Sequence, residues 1–420
     1  MFGLLDCNNF FVSCQRVFAP RMEGRPVVVL SNNDGCIIAR SNEAKALGLP
    51  MGAPVHEWIK LIRKHNVMMF SSNFELYADI SSRVMRVVRT FVPRVEVYSV
   101  DEVFMDLHGI PVAQAVEEMR RLREAVWKGV GIPVCIGIAP TKVLAKIANH
   151  VAKKNLHYGG VCLLDSEDKQ RGILQALPVK DIWGLGRKLS VRLEGEGIVT
   201  GLQLREAEPL RMRRRYNVMM ERLVWELRGT SCLPLERVHE DKKVIQATRS
   251  FGRRVFTLED LQEAVATYVT RAASQMRGEG LMAQGVLVYI RTGFHDTKTP
   301  YYGASHMVGL PAASGDTGKL IMAAHNCLHA IYKEGHAYYK AGVHLLELVP
   351  THTYQPELFD TGDDAQSRKL MQVMDGLGKR YKDKYLVRLA STGLKQDWQV
   401  KHERRSPRYS TRWEELPVVT

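Results

Sequence analysis

The sequence predicts a multidomain protein of the α+β class, and three observations lead to that class. The chain has 420 residues, which at about 150 residues per domain suggests roughly three domains. Up to residue 165, short apolar runs typical of strands alternate with helical patterns, whereas helical patterns alone continue to residue 232. Beyond a linker at 233–241, strand and helix patterns mix again over 243–349.

Composition excludes several classes of protein. The chain is 45% hydrophobic and 25% charged, as globular proteins are, and neither wholesale disorder nor a collagen-like fibre fits. No apolar run approaches the ~20 residues of a membrane helix, and the N-terminus lacks the pattern of a secretory signal. Seven cysteines without a Cys-x-x-Cys pair fit neither a disulfide framework nor a zinc ribbon. We therefore expect a cytoplasmic protein without a transmembrane span.

The charge balance points to a polyanionic partner. Fifty-nine Lys and Arg residues against 45 Asp and Glu residues give a formal net charge of +14. A basic protein of this kind binds nucleic acid or an acidic membrane surface, although many basic surfaces are only solvated. Charge alone leaves both partners open, and only the motifs described below lead us to expect DNA and no membrane partner.

The first strands each end at a polar signal. An apolar run over residues 2–5 stops at Asp6, as a buried strand would. A second run, Val27–Leu30, ends in the turn-forming residues 31–35. Both features predict strands that belong to the first mixed module.

A hairpin is predicted between residues 95 and 107. Apolar residues alternate through this stretch, but residues 99–102 interrupt the alternation and predict a turn. The turn carries Asp101 and Glu102, whose side chains can converge only if the backbone bends there.

Helical periodicity predicts the rest of the elements. Helices over 113–128 and 141–154 flank a strand at 134–138, and short glycine-punctuated helices fill the second module. In the third module we predict strands at 243–248, 285–291 and 341–348 and helices at 258–277 and 319–334.

Three acids at strand ends form a candidate metal site. Asp6, Asp101 and Glu102 are carboxylates with no base between them, and Mg²⁺ prefers such oxygen ligands while leaving positions for substrate phosphates. Two ions of this kind serve in-line phosphoryl displacement. Strand-end and turn acids are more often solvated or capping residues, so the spacing alone leaves that alternative open.

Five segments of the chain, taken in order, form a recognisable pattern: Asp6–Cys14, Lys45–Gly48, Phe70–Tyr77, Tyr98–Glu102 and Gly137–Lys146. They resemble the Y-family translesion DNA polymerases, and the UmuC branch above all. The likeness continues into residues 406–411, so it covers the whole chain. It implies template-directed, error-prone synthesis past damaged bases in the SOS response, with two Mg²⁺ ions and a deoxynucleoside triphosphate substrate.

The resemblance also implies a right-hand polymerase, whose palm we expect to be a mixed sheet with helices on one face. The implied domains are a palm at 1–10 and 74–165, fingers at 11–73, a helix-hairpin-helix thumb at 166–232, a little finger at 243–349, and a clamp-binding peptide with a regulatory tail at 350–420.

Position by position, the resemblance assigns roles around a nucleotide. Asp6, Asp101 and Glu102 become catalytic metal ligands, with the Cys7 carbonyl as an extra ligand, and Phe11 becomes the steric gate that excludes a ribose 2′-hydroxyl. Asn42 and Lys45 stand where most of the family has Tyr and Arg, and a lysine loses the bidentate fork of an arginine. The implied nucleotide-binding residues are Phe10, Asn42, Lys45 and Lys153.

Two basic regions are candidate contacts for primer–template DNA. Residues 183–187 lack the third glycine of a dinucleotide fingerprint, and we interpret them as a hairpin between helices whose N–H groups approach a phosphate. An ordinary turn remains the alternative. In the third module, basic side chains on strands can follow the DNA backbone. The candidate DNA-binding residues are Gly184, Gly186, Arg187, Arg249, Arg253, Arg254 and Arg291.

Further partners follow from a short peptide and from the resemblance. Gln355, Leu358 and Phe359 resemble a sliding-clamp-binding peptide, with Pro356 in place of the more usual Leu. The likeness to the UmuC branch implies a processed UmuD-like dimer and RecA as partners. Two rival functions use the same features: a two-metal nuclease, which needs no gate or triphosphate lysines, and a catalytically silent DNA-binding scaffold tethered to the clamp.

Overall fold

The computed structural model describes residues 1–236, 242–294, 300–354, 362–381, 387–394 and 396–416. The chain forms two compact units. The first contains Met1–Ser31, Gly35–His239 and Arg404–Thr420, and the second contains Asn32–Asp34 and Glu240–Glu403. The end of the chain therefore returns to the first unit, because residues after 403 belong to it.

The first unit begins with a mixed α/β region and continues with five short helices. Its elements are β1 (Phe2–Cys7), α1 (Phe10–Phe18), β2 (Val27–Leu30), β3 (Ile37–Arg40), α2 (Asn42–Ala46), α3 (Val55–Lys64), β4 (Met68–Ser71), α4 (Phe74–Phe91), β5 (Val95–Val97), β6 (Glu102–Asp106), α5 (Val112–Val130), β7 (Val134–Ala139), α6 (Lys142–Lys154), β8 (Val161–Leu163), α7 (Glu167–Ala176), α8 (Arg187–Gly195), α9 (Gly201–Glu206), α10 (Pro209–Arg215) and α11 (Val218–Leu227).

A five-stranded sheet in the order β5-β6-β1-β7-β8 forms the centre of this unit. Strand β1 runs antiparallel to both of its neighbours, β6 and β7, while β8 pairs parallel to β7. Successive side chains of a strand face opposite sides. Accordingly, Leu5 packs with α4 and α5, whereas Leu4 packs with α6. The expectation of helices on one face is therefore wrong, because β1 is apolar on both faces and each face needs a cover.

Helix α6 lies unusually close to the sheet, and one glycine allows it. A Cβ atom on Gly137 in β7 would lie 2.1 Å from the Ala145 carbonyl oxygen and 2.2 Å from the Asn149 nitrogen. No side chain fits that space. The lysines of α6 are thus held near the ends of the strands beneath them.

A smaller sheet in the order β3-β2-β4 lies in the same unit. Strand β2 pairs antiparallel with β3 and parallel with β4. Val28, Leu30, Ile37 and Ile62 form its core with the helices α2 and α3. From α7 to α11 the chain is helical, as predicted, and Leu174, Leu204 and Leu227 are buried there.

The second unit is a four-stranded antiparallel sheet with two helices packed on one face. Its elements are β9 (Val244–Val255), α12 (Leu258–Gly278), β10 (Leu281–Thr292), β11 (Gly303–Ser314), α13 (Thr317–Ile331), β12 (Tyr338–Pro350) and α14 (Ala365–Arg380). The strands follow the order β11-β10-β12-β9, and the packed helices are α12 and α13.

No helix in the described part of the chain is both long and apolar enough to span a bilayer.

Strand β11 was not predicted, and its position explains why. It contains Gly309 and Pro311, which weaken a strand pattern. Because β11 is an edge strand, a proline that cannot donate a ladder hydrogen bond is tolerated there. Edge strands of this kind escape a search for alternating apolar residues.

The described part of the tail between β12 and residue 403 packs within the second unit. In α14, Asp375 binds the Arg277 guanidinium at 2.7 Å and Met371 is buried. Further on, the Trp398 ring is 2% exposed and lies edge-on to Phe251 and Tyr268. The expected regulatory tail therefore has a folded partner within its own chain.

Candidate active site

The candidate site lies at the end of the central strand β1. Asp6 is the residue opposite Glu102 in the antiparallel pairing of β1 with β6. The Cys7 N–H donates to the Asp101 carbonyl at 2.9 Å, which fixes the hairpin turn to the strand end. Antiparallel pairing thus brings together two acids that are 96 positions apart in the sequence.

The turn of the hairpin is organised by Ser99. Its hydroxyl accepts the N–H groups of Asp101 and Glu102 at 3.2 and 3.0 Å and donates to the Asp101 carboxylate at 2.5 Å. A serine that bonds the backbone two and three residues ahead is a frequent turn device. The Asp101 carboxylate is consequently turned back toward the hairpin.

Two lysines of α6 pair with Asp6 and Glu102 at the rim of a cavity. The Lys153 ammonium lies 2.5 Å from a carboxylate oxygen of Asp6, and the Lys146 ammonium lies 2.8 Å from one of Glu102. The lysines are seven residues apart, which is two helical turns, so they share a face of α6. The four side chains line one cavity of about 350 Å³.

Burial raises the pKa of Asp6 to about 7. The cause is the loss of water around the carboxylate, and the nearby Glu102 adds to the shift. Lys153 acts in the opposite direction by stabilising the charged form. An additional cation at the rim of the cavity would therefore stabilise the charged form of Asp6.

The donor set fits Mg²⁺ in its chemistry. Asp6 and Glu102 face the same cavity, but Asp101 does not line it. Within the described ranges, no three acidic, histidine or cysteine side chains are grouped closely enough to hold a metal ion. The Cys7 thiol is buried, with its pKa raised by burial, so only the backbone carbonyl of that residue suits a hard cation.

Phe11 lies on a platform of aromatic rings. Its ring stacks on Tyr77 at 4.5 Å between centroids and meets Phe74 edge-on at 6.0 Å. The Tyr77 hydroxyl accepts a hydrogen bond from the Gln15 amide at 2.9 Å. Phe10 is 4% exposed, so its ring belongs to the core.

Asn9 connects two predicted nucleotide contacts, and sequence reasoning missed it. Its side-chain oxygen accepts from Lys45 at 2.5 Å and its amide donates to Asn42 at 3.0 Å. Asn9 has a φ of 49°, in the left-handed region where asparagine is enriched. The signal available in the sequence was an asparagine just before the predicted gate.

Arg40 is a second residue that sequence reasoning missed. The pKa of Lys45 is lowered, first by burial and then by the positive charges of Arg40 and Lys153, while Asp6 opposes the shift. A lysine that two further cations repel suits a polyanion such as a triphosphate. The structure therefore gathers a positive cluster of Arg40, Lys45 and Lys153.

The predicted helical hairpin borders the same cavity. Gly184 has a φ of +92° and Gly186 is the N-cap of α8, where Arg187 is the first and exposed residue. Just before them, the Trp183 indole N–H donates to the Tyr98 hydroxyl at 3.1 Å, and its ring packs beside the Lys146 ammonium.

The predicted basic residues of the second unit lie on its sheet. Arg249 and Arg253 are exposed, and Arg253 lies 3.6 Å from Asp397. Arg254 stacks on Tyr339, and Arg291 lies 4.6 Å from the Phe294 ring centroid. The predicted clamp-binding residues Gln355, Leu358 and Phe359 lie outside the described residues.

Comparison with known proteins gives consistent relatives. Residues 5–150 match the impB/mucB/samB family, residues 242–358 match its C-terminal domain, and residues 368–419 match a domain of unknown function (DUF4113). Protein UmuC from Salmonella typhimurium is 44% identical over 99% of both chains. DNA polymerase IV from Moorella thermoacetica is 29% identical over 92% of this chain and 95% of its own.

A solved structure agrees with the fold. A Y-family DNA polymerase chimera matches with a TM-score of 0.69 and 18% sequence identity, covering 83% of this chain and all of its own. At that identity the match supports the architecture of the two units. The α+β fold class predicted from the sequence is thereby confirmed.

Proposed function

The chain belongs to the impB/mucB/samB family, and on that premise we propose how its pocket performs nucleotidyl transfer. The protein is an error-prone, DNA-directed DNA polymerase of the Y family, and it binds DNA and copies past damaged template bases. In this reaction the primer 3′-hydroxyl attacks the α-phosphate of a deoxynucleoside triphosphate and releases pyrophosphate. The observation that supports our placement of the reaction is the pairing of Asp6 with Glu102 beside two lysines.

Asp6, Asp101 and Glu102 are the residues that would hold divalent metal, and we assign two Mg²⁺ ions to them with the Cys7 carbonyl as an extra ligand. Such ions lower the charge barrier between the attacking hydroxyl and the phosphate. Asp101 must turn away from Ser99 to take part. The hairpin allows that motion because Ser99 also binds two backbone N–H groups, which keep the turn closed.

The cationic residues position the triphosphate. Arg40 and Lys153 both repel Lys45 in the free protein, and a bound polyanion would relieve that repulsion. Asn9 links Lys45 and Asn42, which we assign to the nucleotide. Phe11 excludes a ribose 2′-hydroxyl by bulk, since its ring is supported from below by Tyr77.

We assign the palm to 1–10 and 74–165, the fingers to 11–73, the thumb to 166–232 and the little finger to 243–349. The five strands of the larger sheet lie in the first of these regions. The hairpin at Gly184 and Gly186 and the arginines of the second unit would hold primer–template DNA by its phosphates.

Three protein partners complete the proposal. Residues 355–359 would bind the sliding clamp, and a processed UmuD-like dimer and RecA would support synthesis in the cytoplasm during the SOS response. Likeness to UmuC supports these two partners, and the Gln-x-x-Leu-Phe pattern supports the clamp.

Primer extension with single nucleotides tests the catalytic assignment. Asp101→Asn should lower extension on the order of 10²–10³-fold, because charge stabilisation in the pocket is lost. Asp106→Asn is the matched control: it lies on the same hairpin but pairs with Arg94 at 3.0 Å. Equal loss in both variants would contradict the assignment. Primer degradation would favour a nuclease, and no activity with all partners would favour a scaffold.

Sugar selection tests the gate. Phe11→Ala should raise the ratio of ribonucleotide to deoxyribonucleotide incorporation, because the bulk facing the 2′-position is removed. Phe91→Ala, at the far end of α4, is the control for loss of an aromatic ring. An unchanged ratio in Phe11→Ala would remove the gate assignment.

A further inference from the structure

The chain after residue 403 docks on the same unit as the candidate site. We call residues 404–416 the docking segment. The Ser71 N–H donates to the Arg404 carbonyl at 3.1 Å, and the Arg404 N–H donates to the Ser71 hydroxyl at 2.9 Å. Arg405 forms a parallel bridge with Ser71, so the segment extends the smaller sheet at the end of β4.

Asn73 is the central anchor of the docking segment. It is 1% exposed, and its amide donates to the Ser406 carbonyl at 3.0 Å, the Ser406 hydroxyl at 3.1 Å and the Pro407 carbonyl at 3.2 Å. Its side-chain oxygen accepts the Leu76 N–H at 3.4 Å as the N-cap of α4. One side chain therefore joins the start of α4 to a segment more than 330 residues away.

Two further contacts hold the docking segment in place. The Arg408 guanidinium lies 3.6 Å from Glu75 of α4. Within the segment Arg408 also binds Glu415 at 2.8 Å, and its hydrogen bonds lower the pKa of Glu415 to about 2. The Tyr409 ring stacks on Phe18 at 4.8 Å between centroids and 16° between planes. The segment thus contacts α1 as well as α4.

These two helices are the ones that form the gate. Helix α1 carries Phe11 near its start and ends at Phe18, while α4 begins at Phe74 and carries Tyr77 under the Phe11 ring. Resting on the proposed role of Phe11 as the gate, we propose that the docking segment braces α1 and α4 and thereby sets the sugar selectivity of the polymerase. Asn73 is the positioning residue of this brace.

The physical reason is the precision that exclusion by bulk demands. A steric gate works only if its ring cannot retreat, so its supporting shell must be fixed to about 0.5 Å. The Phe11 ring rests on Tyr77, and Tyr77 follows Asn73 by one helical turn, with its N–H bonded to the Asn73 carbonyl at 3.1 Å. Without the docking segment, the Asn73 amide loses its three acceptors on Ser406 and Pro407. The first turn of α4 then loosens.

Asn73→Asp separates the brace from the helix cap. Aspartate caps a helix as well as asparagine does, so the Leu76 N–H keeps its acceptor. The amide donor is replaced by a carboxylate that faces the carbonyl oxygens of Ser406 and Pro407, which repels the docking segment. Asn217→Asp is the matched control, because Asn217 caps α11 by accepting the Met220 N–H at 3.0 Å.

The full-length chain is measured in two ways. Hydrogen–deuterium exchange reports release of the docking segment, and single-nucleotide extension gives kcat/KM for a ribonucleotide and for the matching deoxyribonucleotide. In Asn73→Asp we expect faster exchange at residues 404–412 and an increase in the ribonucleotide ratio on the order of tenfold. Asn217→Asp should change neither.

Each other outcome overturns the proposal. Faster exchange with an unchanged ratio means that the segment docks without bracing the gate, and unchanged exchange means that Asn73 does not anchor it. Tyr409→Ala gives a second route that leaves α4 untouched; it removes the stack on Phe18 and should shift the ratio in the same direction. An unchanged ratio there also counts against the brace.

A double-mutant cycle with Phe11→Ala distinguishes this proposal from the gate assignment. If the brace acts through Phe11, Asn73→Asp should not raise the ribonucleotide ratio further once the ring is gone. A further increase of the full size in the Phe11→Ala background contradicts a brace that acts through the gate. If Phe11→Ala alone leaves the ratio unchanged, the gate assignment itself fails.

Discussion

Helix α6 carries lysines in two very different settings, one buried and two at the rim of the cavity. Lys142, Lys146 and Lys153 pair with acids on the neighbouring strands β5, β6 and β1, in that order. The Lys142 side chain is 4% exposed and its partner Glu96 is 7% exposed, whereas the Lys146 and Lys153 side chains are 24% and 33% exposed. The same helix face thus provides an interior ion pair and two accessible ones.

The surroundings of the buried pair explain the difference. Lys142 also donates to the Pro234 carbonyl at 2.9 Å, and Glu96 accepts the Glu236 N–H at 2.7 Å. These bonds fix the chain that follows α11 to the sheet. The rim pairs open into the cavity instead, so their partners can be exchanged for metal and phosphate. Burial thus separates Lys142, which fixes the chain to the sheet, from Lys146 and Lys153, which line the cavity.

The largest effect on stability is expected from breaking the buried pair. Lys142→Met leaves Glu96 charged and without its cation in the interior, which should lower the free energy of unfolding by about 3–5 kcal/mol. Urea unfolding measures this loss. Adding Glu96→Gln should restore a large part of it, and a double variant as unstable as the single one would contradict the buried-charge explanation.

Lys153→Met should affect activity far more than stability. We expect kcat/KM for nucleotide incorporation to fall on the order of 10²-fold, because a cation of the triphosphate cluster is lost. The free energy of unfolding should change by less than about 1 kcal/mol, since Asp6, whose pKa is already raised to about 7, can take up a proton. A large loss of stability would place Lys153 with Lys142 as a structural residue.

The raised pKa of Asp6 gives a pH dependence to metal binding. A carboxyl group must lose its proton before it binds a metal ion. The Asp6 carboxyl is mostly protonated below pH 7 and mostly ionised above it. The affinity of the free protein for Mn²⁺, measured by electron paramagnetic resonance, should therefore rise about tenfold from pH 6 to pH 8. Asp6→Asn should abolish this rise, and a rise that survives would assign the titration to another group.

The smallest effect is expected at Trp183. Its ring lies 5.3 Å from the Lys146 ammonium, a contact worth about 0.5–1 kcal/mol at a partly exposed site. Trp183→Leu should therefore lower kcat/KM by about two- to fivefold by loosening the pairing of Lys146 with Glu102. Trp127→Leu, at a tryptophan that is 55% exposed on α5, should leave kcat/KM unchanged.

Sequence patterns located the strands that matter most for the site. The apolar run that stops at Asp6 and the interrupted alternation before Glu102 correspond to β1 and β6, because a buried strand and a hairpin turn are local features. The helix that carries Lys153 was predicted for the same reason. The pairing of Asp6 with Glu102 itself is a tertiary contact, and only the fold provides it.

Other parts of the structure left little signal. Helix α4 is rich in β-branched residues such as Ile80, Val84 and Val88, which weakens a helical prediction. Asn73 contacts the docking segment mainly through backbone carbonyls. Because every residue has a backbone carbonyl, the residue types in the segment do not indicate these contacts. In β11, Gly309 and Pro311 weakened the strand pattern, so that strand was not predicted either.

The wide sequence separation within the docking segment's main contact has a consequence for synthesis of the protein. Asn73 and Ser406 are 333 positions apart, which at about 5–20 residues per second is roughly 17–67 s of translation. During that interval the start of α4 exists without its partner, and water must satisfy the Asn73 amide. The proposed support of the gate therefore forms in two steps. Helix α4 is synthesised first, and its contacts with the docking segment form only after residues 404–416 have left the ribosome.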